Sequence, residues 1–255
     1  TEQYKSRMYA AVGGVLLLLV IAVFSFRSYS LKKKDNAIIL EQKKMVEISN
    51  LELEQKNQEI WDSINYAKRI QSAILPTDAS VKEHLKDSFV LYQPKDVVAG
   101  DFYWMEQKGD KTMFAAADCT GHGVPGAMVS VVCNNALNRS VREHGLLDPG
   151  EILNQTRSIV TKEFEADGAE EVMDGMDIAL CSLEGNKLQY AGAHNPLWII
   201  RNGELREIRA DHQPIGIYDS PVPFTVHDIE LQEGDTLYVF TDGYADQFGG
   251  PKGKK

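Results

Sequence analysis

The chain has 255 residues, of which 43% are hydrophobic and 25% are charged, a composition that is ordinary for a folded protein. This length predicts one large domain or two modest ones. The formal net charge of -10 argues against a general nucleic-acid binder, because such proteins need a basic face that displaces counterions. The three cysteines form no C-x-x-C pair, which disfavours a zinc site or a disulfide framework and indicates a reduced, cytosolic setting.

The first predicted element is an uncharged, largely apolar stretch over residues 9–26. At about 1.5 Å of rise per residue, a helix of this length just spans a bilayer core of about 30 Å. A signal peptide and a buried core helix are the alternatives, but no A-x-A-like cleavage site follows and the stretch is apolar on every side. Four basic residues follow it (Arg27 and residues 32–34) and two precede it, so the C-terminal bulk is expected in the cytoplasm. We therefore expect a single-pass protein of the inner (cytoplasmic) membrane.

Residues 31–75 contain neither glycine nor proline, and their apolar residues recur at three- and four-residue steps. This pattern predicts a long amphipathic helix with an imperfect heptad, which pairs with a copy of itself. A solvated single helix is the alternative, but it would leave a stripe of isoleucines in water. Because Glu52 and Asn57 interrupt the stripe, we expect a weak or switchable coiled coil that makes the chain a homodimer.

After Pro76 the chain changes to short strands separated by turn signals. Strands are predicted over residues 88–93, 101–107, 111–118, 177–183, 187–193, 196–201 and 236–241. Helices are predicted over residues 126–144 and from Pro149 onward, with Asp148 as the N-cap of the second. Hairpins, then two helices, then more hairpins predict an α+β domain with mostly antiparallel sheets and helices packed outside.

Three acidic residues stand at predicted strand ends near glycine: Asp101 in VVAGDFYW, Asp118 in AAADCTGHGVPGA and Asp242 in LYVFTDGYAD. Each one alone is equally well explained as a turn former or a helix cap. A carboxylate at the end of an apolar strand is costly to bury alone, so it needs a partner. Three of them with little histidine or cysteine nearby predict a hard-cation site, and such oxygen ligands suit Mg²⁺ or Mn²⁺.

Four motifs in this order resemble a known family: G-D-F-Y-W, then D-x-x-G-H-G before a helix, then A-G-A-H-N-P, then T-D-G. Together they are similar to the metal-dependent protein phosphatases of the PPM family, and most to its bacterial SpoIIE/RsbU branch. The resemblance covers roughly residues 87–255, and residues 65–76 resemble the helix that leads into such domains. It implies an antiparallel β-sandwich flanked by helices, in the PPM-type α-β-β-α arrangement.

The resemblance also implies a centre with two Mn²⁺ or Mg²⁺ ions. Asp118 would bridge both ions and the Cys119 carbonyl would help to hold one. Asp101 and Asp242 would each complete one side. A bridging water would attack phosphorus in line, without a phosphoenzyme. His122 would act as the acid for the leaving hydroxyl, or else would be a loop histidine that is hydrogen-bonded to the backbone.

Other acidic and histidine residues near these motifs receive no catalytic role. His194 in the A-G-A-H-N-P segment is expected to be a turn residue, and Asp174 and Asp177 are expected to be loop acids. Family members end with a further strand whose Asp-Asp-x-Thr-like motif supplies another metal ligand, and none appears before Lys255. We therefore expect a domain that is cut short at its C-terminal end and is weakly active or inactive as this fragment.

The expected layout is a juxtamembrane remnant (1–8), a transmembrane helix (9–26), a helical linker (27–76) and the incomplete phosphatase domain (77–255). The leading hypothesis is a membrane-anchored phosphatase that acts on phosphoserine or phosphothreonine of a cytoplasmic protein. By resemblance, this partner would be a phosphorylated anti-sigma-factor antagonist, and no nucleic-acid partner is expected. A catalytically degenerate dimeric scaffold and a membrane-tethered nucleotide cyclase are the alternatives, although the sequence shows no plausible purine-recognition set.

Overall fold

The computed structural model describes residues 2–165 and 174–245, and the chain divides into the units Thr1–Asp62 and Ser63–Lys255. The first unit is helical, as part of helix α1 (Glu2–Ile74). An 18-residue window of this N-terminal helix has a mean hydropathy of 2.5, and none of its residues is buried. By length and composition the helix can therefore cross a membrane. The transmembrane and coiled-coil assignments stay predictions.

The described residues of the second unit form three further α-helices and eight strands. In chain order they are α2 (Asp78–His84), β1 (Phe102–Lys108), β2 (Lys111–Cys119), α3 (Gly123–Arg142), α4 (Pro149–Phe164), β3 (Met176–Glu184), β4 (Lys187–Ala193), β5 (Leu197–Arg201), β6 (Glu204–Ile208), β7 (His227–Glu230) and β8 (Thr236–Tyr238). Their strand order is β1-β2-β3-β4-β7 in a five-stranded sheet and β6-β5-β8 in a three-stranded sheet. Every pair of neighbours is antiparallel.

Strand β3 shows how the layers are stacked, because alternate residues of a strand point to opposite faces. Ile178 and Leu180 join the cluster that also contains buried residues of α3 and α4. Ala179 and Cys181 join a second cluster with residues of β5 and β6. Helices therefore cover one face of the five-stranded sheet and the three-stranded sheet covers the other.

This stacking is the mixed helix and antiparallel-sheet architecture that was expected. The predicted α-β-β-α arrangement has a second helical layer beyond the second sheet. Of the residues that the structure describes in the second unit, none forms that layer: α3 and α4 both pack on the five-stranded sheet.

The start of α4 follows from local sequence. Asp148 has an extended backbone, and its carboxylate accepts a hydrogen bond from the backbone N–H of Glu151 at 3.0 Å. Pro149 occupies the first helical turn, where a missing N–H costs nothing. The predicted N-cap is confirmed.

Two strand predictions need correction. Residues 88–93 form no strand, and Phe89 and Leu91 are 74% and 75% exposed. A run of four apolar or aromatic residues (89–92) is present, but a strand also needs a hydrogen-bonding neighbour, and the described residues supply none there. The strand predicted to end at Thr241 already ends at Tyr238, after pairing with β5. Strands β6 and β7 were not predicted.

Candidate active site

Three chain segments bring carboxyl groups together at one end of the five-stranded sheet. Asp101 immediately precedes β1, Asp118 is the penultimate residue of β2, and Asp242 opens a short 3-10 turn after β8. The Thr241 hydroxyl donates a hydrogen bond of 2.6 Å to Asp101 Oδ2, which ties the segment carrying Asp242 to Asp101. All three acids line one broad, open cleft.

The crowding of these carboxyls changes the chemistry of Asp118. Burial, and after it the neighbouring carboxyls of Asp101 and Asp242, raise the pKa of Asp118 to about 8 from its ordinary value of 3.8. Adjacent carboxylates that are partly removed from water cannot all ionise at low cost. A bound divalent cation would remove this penalty, because its charge compensates the carboxylates.

The chemistry of the donors fits a divalent cation, although their placement is not that of a formed coordination shell. Among residues 2–165 and 174–245, no three or more His, Cys, Asp or Glu side chains are arranged as ligands of a metal ion. The carboxyls of Asp101 and Asp242 nevertheless lie close enough to Asp118 to raise its pKa. We therefore describe a cluster of oxygen donors of the type that Mg²⁺ and Mn²⁺ prefer.

Close backbone contacts hold the loop after Asp118 against the residue before Asp101. A Cβ atom on Gly100 would lie 2.6 Å from the Gly121 carbonyl oxygen and 2.9 Å from the Cys119 carbonyl oxygen. Gly121 has φ +87°, a conformation that is favourable only for glycine. The glycines thus allow the Cys119 carbonyl oxygen to approach the acidic cluster.

The side chain of Cys119 belongs to the core. It is 3% exposed and packs in the cluster beneath α3. Burial, followed by the neighbouring Cys133 thiol, raises the pKa of the Cys119 thiol well above its ordinary value. A thiolate is therefore disfavoured, and the backbone carbonyl is the group that this residue can offer to a cation.

His122 lies at the N-terminus of α3 and beside a second acid. Its Nδ1 is 3.1 Å from Asp96 Oδ2, and both residues line the cleft. Its side chain makes no capping hydrogen bond to α3. The ring is therefore oriented by a carboxylate and not by the backbone.

Comparison with known proteins gives the family. The model of the family described as stage II sporulation protein E (SpoIIE) matches residues 108–254. The chain is also similar to the SiaA-PP2C domain of Pseudomonas aeruginosa, with 32% identity and a TM-score of 0.69, over 78% of each chain. The chain belongs to the SpoIIE family. The predicted SpoIIE/RsbU-type PPM phosphatase is confirmed.

Further likenesses of this SpoIIE-family chain have lower scores. The PP2C phosphatase domain and regulatory-domain fragment of SpoIIE from Bacillus subtilis is 24% identical, with a TM-score of 0.47, over 57% of this chain and 42% of that one. The RsbU and RsbW domains of a Mycobacterium tuberculosis protein are 23% identical, with a TM-score of 0.48, over 62% of this chain and 42% of that one. The comparison with curated proteins gives no match.

A second histidine–aspartate pair joins β3 to the turn that follows β4. Asp177 faces Asp118 in the β2–β3 register, so it lies within β3, which agrees with the strand predicted over residues 177–183 and not with the expected loop acid. His194 has φ 56°, in keeping with the predicted turn, and its Nδ1 is 2.8 Å from Asp177 Oδ1. The turn is fixed by the Tyr190 hydroxyl, which donates to the Asn195 carbonyl at 2.6 Å. Asp174, by contrast, precedes β3 and lies outside any strand, as predicted.

Two residues that contact the site were missed in the sequence. Asp96 was not singled out, and Gln71 was placed in a helix without a role of its own. Gln71 is the buried residue of α1, and its Nε2 donates to the Ala99 carbonyl at 2.6 Å and to Ser130 Oγ at 2.9 Å. A lone amide in an amphipathic helix is a weak signal, since exposed amides are common there.

Proposed function

We propose that this chain is a membrane-anchored phosphatase that hydrolyses phosphoserine or phosphothreonine on a cytoplasmic protein. The observation that carries the proposal is the half-buried Asp118 carboxyl between those of Asp101 and Asp242. Its burial, and after it the two neighbouring carboxyls, raise its pKa to about 8. Membership of the SpoIIE family supplies the class of reaction. The open cleft around the three acids leaves room for a phosphorylated segment of another protein.

The proposed metal ligands are the same residues. Asp118 would serve two Mn²⁺ or Mg²⁺ ions, Asp101 and Asp242 one ion each, and the Cys119 carbonyl would assist. Such ions, when bound, supply a water of lowered pKa and neutralise charge on the phosphoryl oxygens. Asp118 must release its proton to become a ligand, so its raised pKa makes cation binding favourable at higher pH.

The protein groups around the cluster would orient the phosphoryl group. Helix α3 begins at Gly123, beside the acidic cluster, and its first N–H groups have no partner within the helix. Such a terminus favours an anion. His122 stands at this same end of α3 and is proposed to serve the leaving hydroxyl.

The proposed layout keeps a remnant (1–8), a membrane helix (9–26), a dimer-forming helical linker (27–76) and the phosphatase domain (77–255). The apolar window of the N-terminal helix supports the membrane assignment. The Gln71 amide supports a physical link between linker and site, because it bonds to Ala99, two residues before Asp101. We propose a phosphorylated anti-sigma-factor antagonist as the partner, with the domain in the cytoplasm.

The test is Mn²⁺-dependent phosphate release from a phosphoserine protein by the full chain in detergent, at a protein concentration high enough to measure the weak activity expected of this fragment. Wild type should release phosphate only with the cation, and Asp118→Asn should lower the rate by about a hundredfold or more, since a charged oxygen ligand is lost. Asp110→Asn, in the exposed turn between β1 and β2, is the matched control and should keep the wild-type rate. A folded wild type that releases no phosphate with Mn²⁺ or Mg²⁺ would overturn the proposal.

A further inference from the structure

We propose that Asp96 is a positioning residue that holds His122 as the acid for the leaving serine or threonine oxygen. This inference rests on the proposed phosphatase function and adds a residue to it. Its basis is a contact between two loops that are 26 residues apart in sequence.

The geometry of the contact singles out one nitrogen of the His122 ring. Nδ1 is 3.1 Å from Asp96 Oδ2, so Nδ1–H donates to the carboxylate. In the doubly protonated ring, Nε2–H is then the group that can donate a proton to a substrate oxygen. The same arrangement, in which a carboxylate fixes the tautomer and orientation of a histidine, recurs in unrelated active sites.

The position of Asp96 is fixed by the residues that follow it. Val98 and Ala99 are 2% and 8% exposed. Ala99 is held on both sides by one buried amide: its carbonyl accepts from Gln71 Nε2 at 2.6 Å and its N–H donates to Gln71 Oε1 at 3.1 Å. The short loop that carries Asp96 is therefore anchored to the body of the domain.

The loop on the other side of the contact is equally constrained. Gly123, directly after His122, has φ +62°, and a Cβ atom there would lie 3.5 Å from Asp96 Oδ2. The carboxylate thus lies against the backbone of Gly123 as well as beside the ring of His122. The backbone on both sides of the pair is therefore constrained.

A purely stabilising role for this pair is the alternative. The side chains of His122 and Asp96 are 78% and 43% exposed. Exposed ion pairs contribute little to folding, because water screens them and ordering two side chains costs entropy. The contact therefore matters because it orients the His122 ring towards the cleft. Variants of the pair should still fold.

The proposed step balances as follows. Water attacks phosphorus and gives up a proton to solvent, while the bond between phosphorus and the serine oxygen breaks. The electron pair of that bond goes to the serine oxygen, which takes the proton from His122 Nε2. The products are a serine hydroxyl and inorganic phosphate, and the ring regains a proton from water. Asp96 accepts the hydrogen bond from His122 Nδ1–H throughout and is not itself protonated.

The test compares two leaving groups with the full chain and Mn²⁺. A phosphoserine peptide loses a strongly basic alkoxide, which needs an acid, whereas p-nitrophenyl phosphate loses a weakly basic phenolate, which does not. We expect Asp96→Asn to lower kcat on the peptide by about tenfold or more with little change in KM, and kcat on the aryl phosphate by less than about threefold. His122→Gln should show the same selectivity with a larger loss on the peptide, of about a hundredfold.

Glu106→Gln is the control, because it makes the same kind of change in the ion pair with Arg142 (2.7 Å), at the opposite end of α3. It should leave both rates unchanged. Equal losses on the two substrates in Asp96→Asn, or no loss on the peptide, would overturn this inference and leave the proposed function standing. A wild type that hydrolyses neither substrate would overturn the proposed function and this inference with it.

Discussion

One face of the five-stranded sheet stabilises the fold through apolar burial, whereas the acidic residues at one end of this sheet destabilise it. Strand β2 contributes residues to both regions. Met113 and Ala117 of β2 are fully buried beneath the helices. One residue further, Asp118 meets the carboxyls of Asp101 and Asp242, and its pKa rises to about 8. Burial of apolar area is favourable, whereas burial of adjacent carboxylates is not. At a pH where Asp118 is ionised, the acidic end is therefore favourable only when a cation compensates it.

The largest effect is expected when a side chain is removed from the helix-covered face of the five-stranded sheet. Leu137 of α3 is 0% exposed in this cluster, so Leu137→Ala should lower the free energy of unfolding by about 2–5 kcal/mol through lost burial and a residual cavity. Chemical denaturation of the full chain measures it. Leu205→Ala, on a residue that is 55% exposed, is the control and should change little. A Leu137→Ala loss no larger than that of the control would contradict the assignment of stability to this face.

A medium effect is expected where the helix-covered face of the sheet meets its acidic end. Gly100→Ala places a Cβ atom 2.6 Å from the Gly121 carbonyl oxygen, so the loop after Asp118 must move. We expect about 1–3 kcal/mol of destabilisation and a clear loss of Mn²⁺ affinity, measured by calorimetry. Gly109→Ala is a control with open space around the new Cβ atom, although its φ of +62° adds local strain. Unchanged Mn²⁺ affinity in Gly100→Ala would show that this close approach does not shape the cation site.

The smallest effect concerns the pH dependence of the metal-free chain. The folded pKa of Asp118, about 8, lies above its ordinary 3.8, so the folded state binds the extra proton between these values. Stability should therefore fall as pH rises from about 4 to about 8, by about 1 kcal/mol after solvent screening. The measurement is the difference between wild type and Asp118→Asn, whose curve should be flatter. Parallel curves would contradict the raised pKa.

Sequence patterns located the elements whose cause is local. The N-cap Asp148 and Pro149 define the start of α4 within four residues, and short apolar runs between turn signals located β1 to β5. Residues 88–93 show the limit of this approach. Their pattern is strand-like, but pairing depends on a neighbour that a local pattern does not reveal. Strand β6 was missed because four of its five residues are exposed and it has no buried alternation.

The acids of the site were predicted from motifs, and the structure brings their carboxyls together, while their role as ligands stays a prediction. The supporting contacts were not predictable in the same way. Asp96 meets His122 across 26 residues, and Gln71 meets Ala99 across 28. Nothing in the spacing of a single sequence distinguishes these two side chains from the many exposed acids and amides around them.

The central claim is that the acidic end is unfavourable without a cation and favourable with one. Thermal unfolding of the full chain with and without Mn²⁺, for wild type and Asp118→Asn, tests it most directly. We predict that Mn²⁺ stabilises wild type, by about 2.7 kcal/mol at a hundred times Kd. Without the cation, Asp118→Asn should be at least as stable as wild type, and it should gain little from Mn²⁺. A metal-free variant that is less stable than wild type, or an equal Mn²⁺ effect on both proteins, would contradict the claim.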